Sequence, residues 1–191
     1  MKRWGLLGAA VFAAIALAPS HASAADSEQG PIVLQAGLGI SYWDFPNLGA
    51  FFGTTLSYAW TGFEPSLEFG YHFSGRHDGL MLGVRQAFMI TQVQGHAAGQ
   101  TDLRVGYDLA FKAGSLEINV DPFAMVGGGY IFDGPHAGIQ VTGGLDVKLF
   151  FTKGIYAFVR PGELGFQCLH DFGDCAFTYQ AAAGAGYAFG Q

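Results

Sequence analysis

Large apolar residues and small or polar residues alternate with a period of two along most of the chain after residue 30. The stretch 66–73 (SLEFGYHF) is typical, since leucine, phenylalanine and tyrosine occupy every second position. Strict alternation of this kind predicts a β-strand with one apolar and one polar face. It predicts strands at 31–43, 64–74, 79–92, 101–113, 115–132, 137–151, 154–166 and 176–189.

The lengths of these stretches and of their connections indicate a particular barrel. Strands of soluble sheets average about five or six residues, whereas a strand that crosses a membrane needs about 9–11. Short and long connections alternate along the chain, as in outer-membrane barrels with short periplasmic turns and longer outer loops. We therefore predict an all-β fold, an eight-stranded antiparallel up-and-down transmembrane β-barrel. Phe51–Phe63 also alternates; we interpret it as part of the first extracellular hairpin, and a ten-stranded barrel is the alternative.

The first 25 residues have the three parts of a secretory signal peptide. Lys2 and Arg3 precede an apolar stretch at 5–18, and 22–24 (ASA) forms a small-x-small cleavage pattern. We therefore expect residues 1–25 to be removed after export to the periplasm, and residues 26–191 to form the barrel domain.

Composition and charge exclude several other classes. Half of the 191 residues are hydrophobic and the formal net charge is −6, with nine Lys and Arg residues that are scattered singly after the Lys2–Arg3 pair. A nucleic-acid-binding protein needs a basic stripe, so we expect no nucleic-acid partner. A helical membrane protein needs runs of about 18 or more apolar residues, and none is present.

The C-terminal strand carries Gly184, Tyr187 and Phe189 at Gly-x-x-aromatic-x-aromatic spacing. This resembles the signal by which bacterial outer-membrane barrels are recognised and inserted by the barrel-assembly machinery, although Ala182 and the terminal 190–191 depart from it. With the stretches 66–73, 121–130 and 143–149, it makes the chain similar to the small outer-membrane barrels of Gram-negative bacteria, the OmpA-, OmpX- and OmpW-like group. The resemblance implies a location in the cell outer membrane but no single activity, because the group includes adhesins, small channels and lipid-modifying enzymes.

The polar positions of the alternating pattern should point into the barrel, and the charged residues among them predict a network of charges in the lumen. An eight-stranded barrel is just wide enough for side chains to fill it, so we expect these charges to pair and close the lumen. The predicted members are Glu68, Arg85, Arg104, Asp108, Lys112, Glu117, Asp121, Asp146, Lys148 and Arg160. The remaining acids predict an acidic outer rim formed by Asp44, Glu64, Asp102, Asp133, Glu163, Asp171 and Asp174.

Cys168 and Cys175 lie in the last long connection. An even pair of cysteines in an exported protein predicts a disulfide. A metal site that includes His170, Asp171 and Asp174 is the alternative, but the compartment oxidises thiols and no second Cys/His cluster is available. We expect no metal and no cofactor.

No nucleophile elbow, HExxH pair or phosphate loop is present, and we expect no enzymatic activity. The lesser alternative is a lipid A-modifying barrel enzyme, whose candidate histidines are His72, His77, His96, His136 and His170.

Two non-enzymatic functions stay open. The first is a structural or surface-interaction barrel, monomeric, that contacts outer-membrane lipid and lipopolysaccharide through loops 44–63 and 164–175. Its candidate exposed aromatic residues are Trp43, Phe45, Phe51, Phe52 and Phe172. The second is an OmpW-like channel for small or apolar solutes, for which inward-pointing Phe123, Met125, Ile131, Tyr156 and Phe158 are the candidates.

Overall fold

The computed structural model describes residues 30–45, 58–91, 97–114, 116–132, 136–152, 154–169 and 174–189. Within them, eight antiparallel strands form a closed barrel in which each strand pairs with its sequence neighbours and the last pairs with the first. The strands are β1 (Ile32–Phe45), β2 (Tyr58–His72), β3 (Gly79–Thr91), β4 (Ala97–Ala113), β5 (Leu116–Ile131), β6 (His136–Phe150), β7 (Ile155–Leu169) and β8 (Asp174–Phe189). The predicted eight-stranded antiparallel barrel is confirmed. The ten-stranded alternative is wrong, because the β8–β1 pairing leaves no place for further strands.

The strands extend further than the sequence pattern indicated at one end of the barrel. The second half of the alternating segment Phe51–Phe63 belongs to β2, which begins at Tyr58 and pairs with β1 up to Phe45. The other half lies outside the described residues. In the same way β4 begins at Ala97 rather than at residue 101.

The two ends of the barrel differ in their connections. Three short turns, after β2, β4 and β6, lie together with residue 30 and the end of β8 at one end, which we call the turn end. Glycines with positive φ make these turns possible, among them Gly75 (77°) and Gly114 (66°). The other four connections lie at the opposite end, which we call the loop end.

The alternation sorts side chains into two populations. Large apolar residues on all eight strands point outward and are exposed, for example Leu38 (57%), Leu103 (57%) and Ile139 (68%). Most inward positions hold small, polar or charged residues, and large apolar residues such as Trp43 and Phe123 occupy the others, so the buried interior is the lumen and is largely polar. No helix among the described residues is long and apolar enough to cross a membrane.

One irregularity changes the inward face of β7. The register with β8 shifts between Arg160 and Glu163, and Pro161, which lacks an N–H, lies inside the shift. The extra residue makes Arg160 and Glu163 both point inward, although strict alternation would place them on opposite faces.

Residues 1–29 lie outside the described part of the chain, so the predicted signal peptide stays a prediction.

Candidate functional site: a charged lumen inside an apolar wall

The outer wall is largely apolar, with Gln86 and Thr101, hydrogen-bonded to each other, among its few polar side chains. Across neighbouring strands the outward residues form rows, such as Leu103, Val126 and Val141 on β4, β5 and β6, all about half exposed. Soluble proteins rarely expose contiguous apolar patches larger than a few hundred Å². A wall that is apolar around a whole barrel is stable only against another apolar phase.

Exposed aromatic side chains are concentrated near the two rims of this wall. Ring contacts occur at both ends, for example between Phe166 and Phe177 (5.7 Å between centroids) and between Tyr187 and Phe189 (5.8 Å). The turn-end row comprises Tyr71, Phe73, Phe111, Phe151, Tyr187 and Phe189; the loop-end row comprises Tyr42, Phe88, Phe132, Phe166, Phe177 and Tyr179. Two such girdles flank the apolar band of barrels that span a membrane.

The lower part of the lumen, nearest the turn end, is organised around Asp108. Lys148 Nζ donates to both carboxylate oxygens of Asp108 (2.9 and 2.7 Å) and to Asp121 Oδ2 (3.0 Å). His72 Nε2 lies 2.7 Å from Asp108 Oδ2, and its Nδ1 lies 3.2 Å from the carbonyl oxygen of Pro31. This group ties β2, β4, β5 and β6 to the start of the first strand.

Two arginines fill the middle of the lumen. Arg160 donates from Nε and Nη2 to the two oxygens of Asp146 (2.7 and 2.8 Å), and from Nη2 to Glu68 (3.1 Å). Arg104 donates to Glu68, Asp121 and Asp146. Both guanidinium groups lie over the ring of Phe123, with Cζ of Arg104 4.1 Å and Cζ of Arg160 4.5 Å from its centroid. Cation–π contacts of desolvated guanidinium groups are favourable by about 2 kcal/mol each.

The upper part, towards the loop end, is centred on Arg85. It makes a bidentate pair with Glu163 (2.6 and 3.0 Å) and donates to Asp102 (2.9 and 3.1 Å). The side-chain oxygens of Gln100 and Gln180 accept from the same guanidinium group (3.1 and 3.2 Å). Because Glu163 also accepts from Arg160 (3.2 Å), the ion-pair network is continuous from the upper part down to His72.

Apolar side chains close both ends of this network. At the turn end Val33, Met81, Phe150, Tyr156 and Phe158 form a buried cluster with Ala188. His77 folds back from the β2–β3 turn against the Phe150 ring (4.8 Å between centroids) and pairs with Glu117. At the loop end the inward side chains of Trp43, Met89 and Ile131 are buried.

Most of the predicted lumen charges lie in the network, and three further acids join them. Glu68, Arg85, Arg104, Asp108, Asp121, Asp146, Lys148 and Arg160 are all buried in the lumen. Glu117 is half-buried at the turn-end mouth, and Lys112 is exposed there, because residue 112 lies at the end of β4, beyond the enclosed lumen.

The predicted acidic rim needs correction at three positions. Glu64, Asp102 and Glu163 are 5%, 1% and 1% exposed inside the lumen. Among the described residues the lumen therefore buries seven carboxylates and four Lys or Arg side chains, so it is not balanced as the sequence suggested. Asp44 is partly exposed at the loop end, and Asp133 and Asp171 lie outside the described residues.

Continuing the alternating pattern towards the loop end would have placed Glu64 and Asp102 in the lumen. They lie an even number of residues from Glu68 and Arg104 on the same strands, and so on the same inward face. Glu163 carries no such signal. The shift at Pro161, which reverses the parity of β7, is visible only in the strand register.

Trp43 was expected among the exposed aromatic residues, and this is wrong. It occupies an inward position on β1 and is fully buried, because residue 43 shares the parity of Ser41 and Gln35. The side chains of Phe45, Phe51, Phe52 and Phe172 lie outside the described part of the structure.

The apolar residues proposed to line a channel do point inward. Phe123, Met125, Ile131, Tyr156 and Phe158 are all buried. Phe123 packs between two arginines, and the hydroxyl of Tyr156 donates to Gln35 (3.0 Å). They therefore pack around polar groups and do not form an apolar path by themselves.

Cys168 and Cys175 face each other across β7 and β8 and form the predicted disulfide. No cluster of three or more metal-ligating His, Cys, Asp or Glu residues occurs in the described residues. His96, His170 and the side chains of His136 and Asp174 lie outside them.

The three residues of the C-terminal motif lie on β8. Tyr187 and Phe189 point outward at the turn end, where their rings stack. Gly184 lies opposite Gly37 of β1, and a Cβ at this glycine would collide with the Ala36 carbonyl oxygen.

Comparison with known proteins shows that this chain is similar in fold to solved barrel structures. No protein-family model matches the chain, and no curated protein matches its sequence. Neisserial surface protein A is 13% identical, with 83% of this chain and 97% of that chain covered and a TM-score of 0.59. Ail, the attachment invasion locus protein of Yersinia pestis, is 15% identical over 84% and 99% of the two chains with a TM-score of 0.37. The outer membrane protease OmpT of Escherichia coli is 9% identical over 88% and 100%, also with a TM-score of 0.37.

At 13% identity the similarity to Neisserial surface protein A shows a shared barrel fold and no more. It does not single out one family of barrel proteins.

Proposed function

We propose that this chain is an integral outer-membrane β-barrel protein with a structural or surface-interaction role. The observation that carries the proposal is the closed barrel whose outer wall is apolar on all eight strands. Such a wall needs lipid, and an aromatic row near each rim supports an interface with water on both sides. Export by the signal peptide at residues 1–25 and insertion through the C-terminal motif belong to the same proposal.

The filled lumen supports a closed barrel rather than a pore. The ion-pair network occupies the middle, and apolar side chains lie above and below it. In this proposal the protein acts through its outer wall and its loop end, which would contact outer-membrane lipid, lipopolysaccharide or a surface partner, and it works as a monomer.

Membrane insertion is tested by fractionation and gel mobility. The protein should accompany outer membranes, resist extraction by carbonate, and migrate differently on gels before and after boiling. Release by carbonate, with no change of mobility on boiling, would contradict an integral barrel.

Closure of the lumen is tested in planar bilayers. A barrel plugged by ion pairs should give no steady single-channel openings. Clean, long-lived openings would instead support the small-solute channel. The lipid A-modifying alternative is tested separately by mass spectrometry of lipid A from a deletion strain, where an altered acyl pattern would support it.

A further inference from the structure

The upper part of the lumen contains buried polar oxygens that no described residue satisfies. Gln167 is fully buried, and neither its amide oxygen nor its amide nitrogen has a hydrogen-bond partner. The same holds for the amide oxygen of Gln140 and for the hydroxyls of Thr142 and Thr178. Buried polar groups in proteins nearly always have partners, so a cluster of this kind requires an explanation.

These residues lie close together across the lumen. Gln140 and Gln167 are register partners on β6 and β7, and Nε2 of Gln140 donates to Gln100 (3.2 Å). Gln180, two residues from Thr178 on the same inward face of β8, also donates to Gln100 (3.2 Å). Register and hydrogen bonds therefore place Gln140, Gln167 and Thr178 in the same part of the lumen, with Thr142 at the next inward position of β6 after Gln140, and we call this part the layer.

The same layer holds a lumenal carboxyl group, that of Glu64, for which no Lys or Arg partner occurs among the described residues. Arg85 is shared by Asp102 and Glu163, and no ion pair of Glu64 occurs among the described residues. The hydrogen bond that Glu64 makes with a described side chain comes from Ser41, the register partner of Gln180. A buried carboxylate without a cation is costly by several kcal/mol. Lower in the lumen, in contrast, each carboxylate has a Lys or Arg partner.

We propose that this layer binds one small inorganic monovalent cation of the sodium or potassium class. Its ligands would be the Glu64 carboxylate, the amide oxygens of Gln140 and Gln167, and the hydroxyls of Thr142 and Thr178. Hard cations take oxygen ligands of these kinds, and a ring of uncharged oxygens with one carboxylate matches a single positive charge.

The side chains of the layer pack closely against the backbone of neighbouring strands. The amide of Gln167 occupies the space in which a side chain at Gly129 would lie, and Thr142 does the same at Gly165. This close packing favours a small ligand over a sugar or another organic solute. A divalent ion would prefer more carboxylates than this layer offers, and no cluster of three ligating acids converges in the described residues.

The proposal is tested by urea unfolding of the full mature chain, refolded in detergent. Unfolding is compared in sodium, potassium and N-methyl-D-glucamine chloride at equal ionic strength, because the organic cation is too large to enter. A cation that binds only the folded barrel raises the folding equilibrium constant about tenfold at ten times its dissociation constant. We expect this increase to saturate with sodium or potassium and to be absent with N-methyl-D-glucamine.

Two variants localise the effect. Glu64→Gln should abolish the difference between salts, whereas Glu117→Gln, which removes one carboxylate at the turn-end mouth, should retain it. If Glu64→Gln does not refold, Thr178→Val removes one neutral ligand and should weaken the cation dependence several-fold. Equal unfolding midpoints in all three salts for the unaltered chain would overturn the proposal, as would a full cation effect in a folded Glu64→Gln barrel. The test is independent of membrane location, so its failure would leave the proposed function intact.

Discussion

Arg85 of β3 and Glu163 of β7 meet across the lumen in a bidentate ion pair, with Nη1 of the arginine 2.6 Å from Oε2 of the glutamate. Both side chains are about 1% exposed. The pair joins opposite sides of the barrel and links the upper charges to Arg160 and the network below it.

Removing the cation of this pair should destabilise the barrel strongly. Arg85→Met leaves Asp102 and Glu163 buried without their main partner, and the loss of one member of a buried pair costs about 3–5 kcal/mol. Urea unfolding in detergent measures the change. Arg76→Met is the matched control, because Arg76 is in a turn, 38% exposed and 3.6 Å from Asp78, and such pairs are worth at most about 1 kcal/mol. Equal effects of the two substitutions would contradict a filled, low-dielectric lumen.

Two adjacent glycines of β5 should differ in their tolerance of a methyl group. A Cβ at Gly127 would collide with the backbone of Thr101 and Asp102, whereas at Gly128 the nearest atom would be the Gly138 carbonyl oxygen, 3.7 Å away. We expect Gly127→Ala to cost about 1–3 kcal/mol, the usual range for overpacking, and Gly128→Ala to be nearly neutral. The fraction of protein that keeps its unboiled gel mobility at increasing urea concentration reports both. A barrel that tolerates Gly127→Ala as well as Gly128→Ala would mean that β4 and β5 are not packed as described.

A charge on the outer wall distinguishes lipid from water as its surroundings. Leu103 of β4 points outward, is 57% exposed and lies between Val84 of β3 and Val126 of β5, away from both aromatic rows. In a bilayer Leu103→Arg should cost about 2–4 kcal/mol near the midplane, measured by urea unfolding from lipid vesicles. Leu103→Phe, which keeps the position apolar, is the control and should change stability by less than about 1.5 kcal/mol. If Leu103→Arg instead made the barrel soluble without detergent and no less stable, the membrane proposal would fail.

The disulfide should stabilise the end of the β7–β8 hairpin without being required for barrel closure. Cys168 and Cys175 are seven residues apart, and closing so short a loop contributes roughly 2–3 kcal/mol in the chain-entropy account. The Cys168→Ser/Cys175→Ser double variant should lower the free energy of unfolding by about this amount and still change mobility on boiling. Maleimide should label neither thiol of the unreduced, unfolded protein; labelling of both would show that the bond does not form.

The sequence by itself determined that the chain is a barrel with an apolar outside. Alternation is a property of neighbouring residues, and the strand period of two converts it directly into two faces, as at Leu67 and Glu68. The number of strands followed from counting such stretches. The disulfide followed from the presence of two cysteines in one connection of a chain expected to be exported. These features depend on contacts that are local, or nearly so, along the chain.

Only the tertiary structure decided which charges meet and where the lumen ends. Glu163 faces inward because the register shifts at Pro161. Trp43 has inward parity in the sequence, but it is enclosed because β1 continues upward in its pairing with β2. Lys112 has the inward parity but lies at the strand end, where the barrel no longer encloses it. The odd or even position of a residue along its strand decides whether its side chain points inward or outward. The height of that side chain along the barrel, and its partner across the lumen, depend on the register of all eight strands together. Closing the barrel fixes that register, because it sets the position of each strand relative to the others.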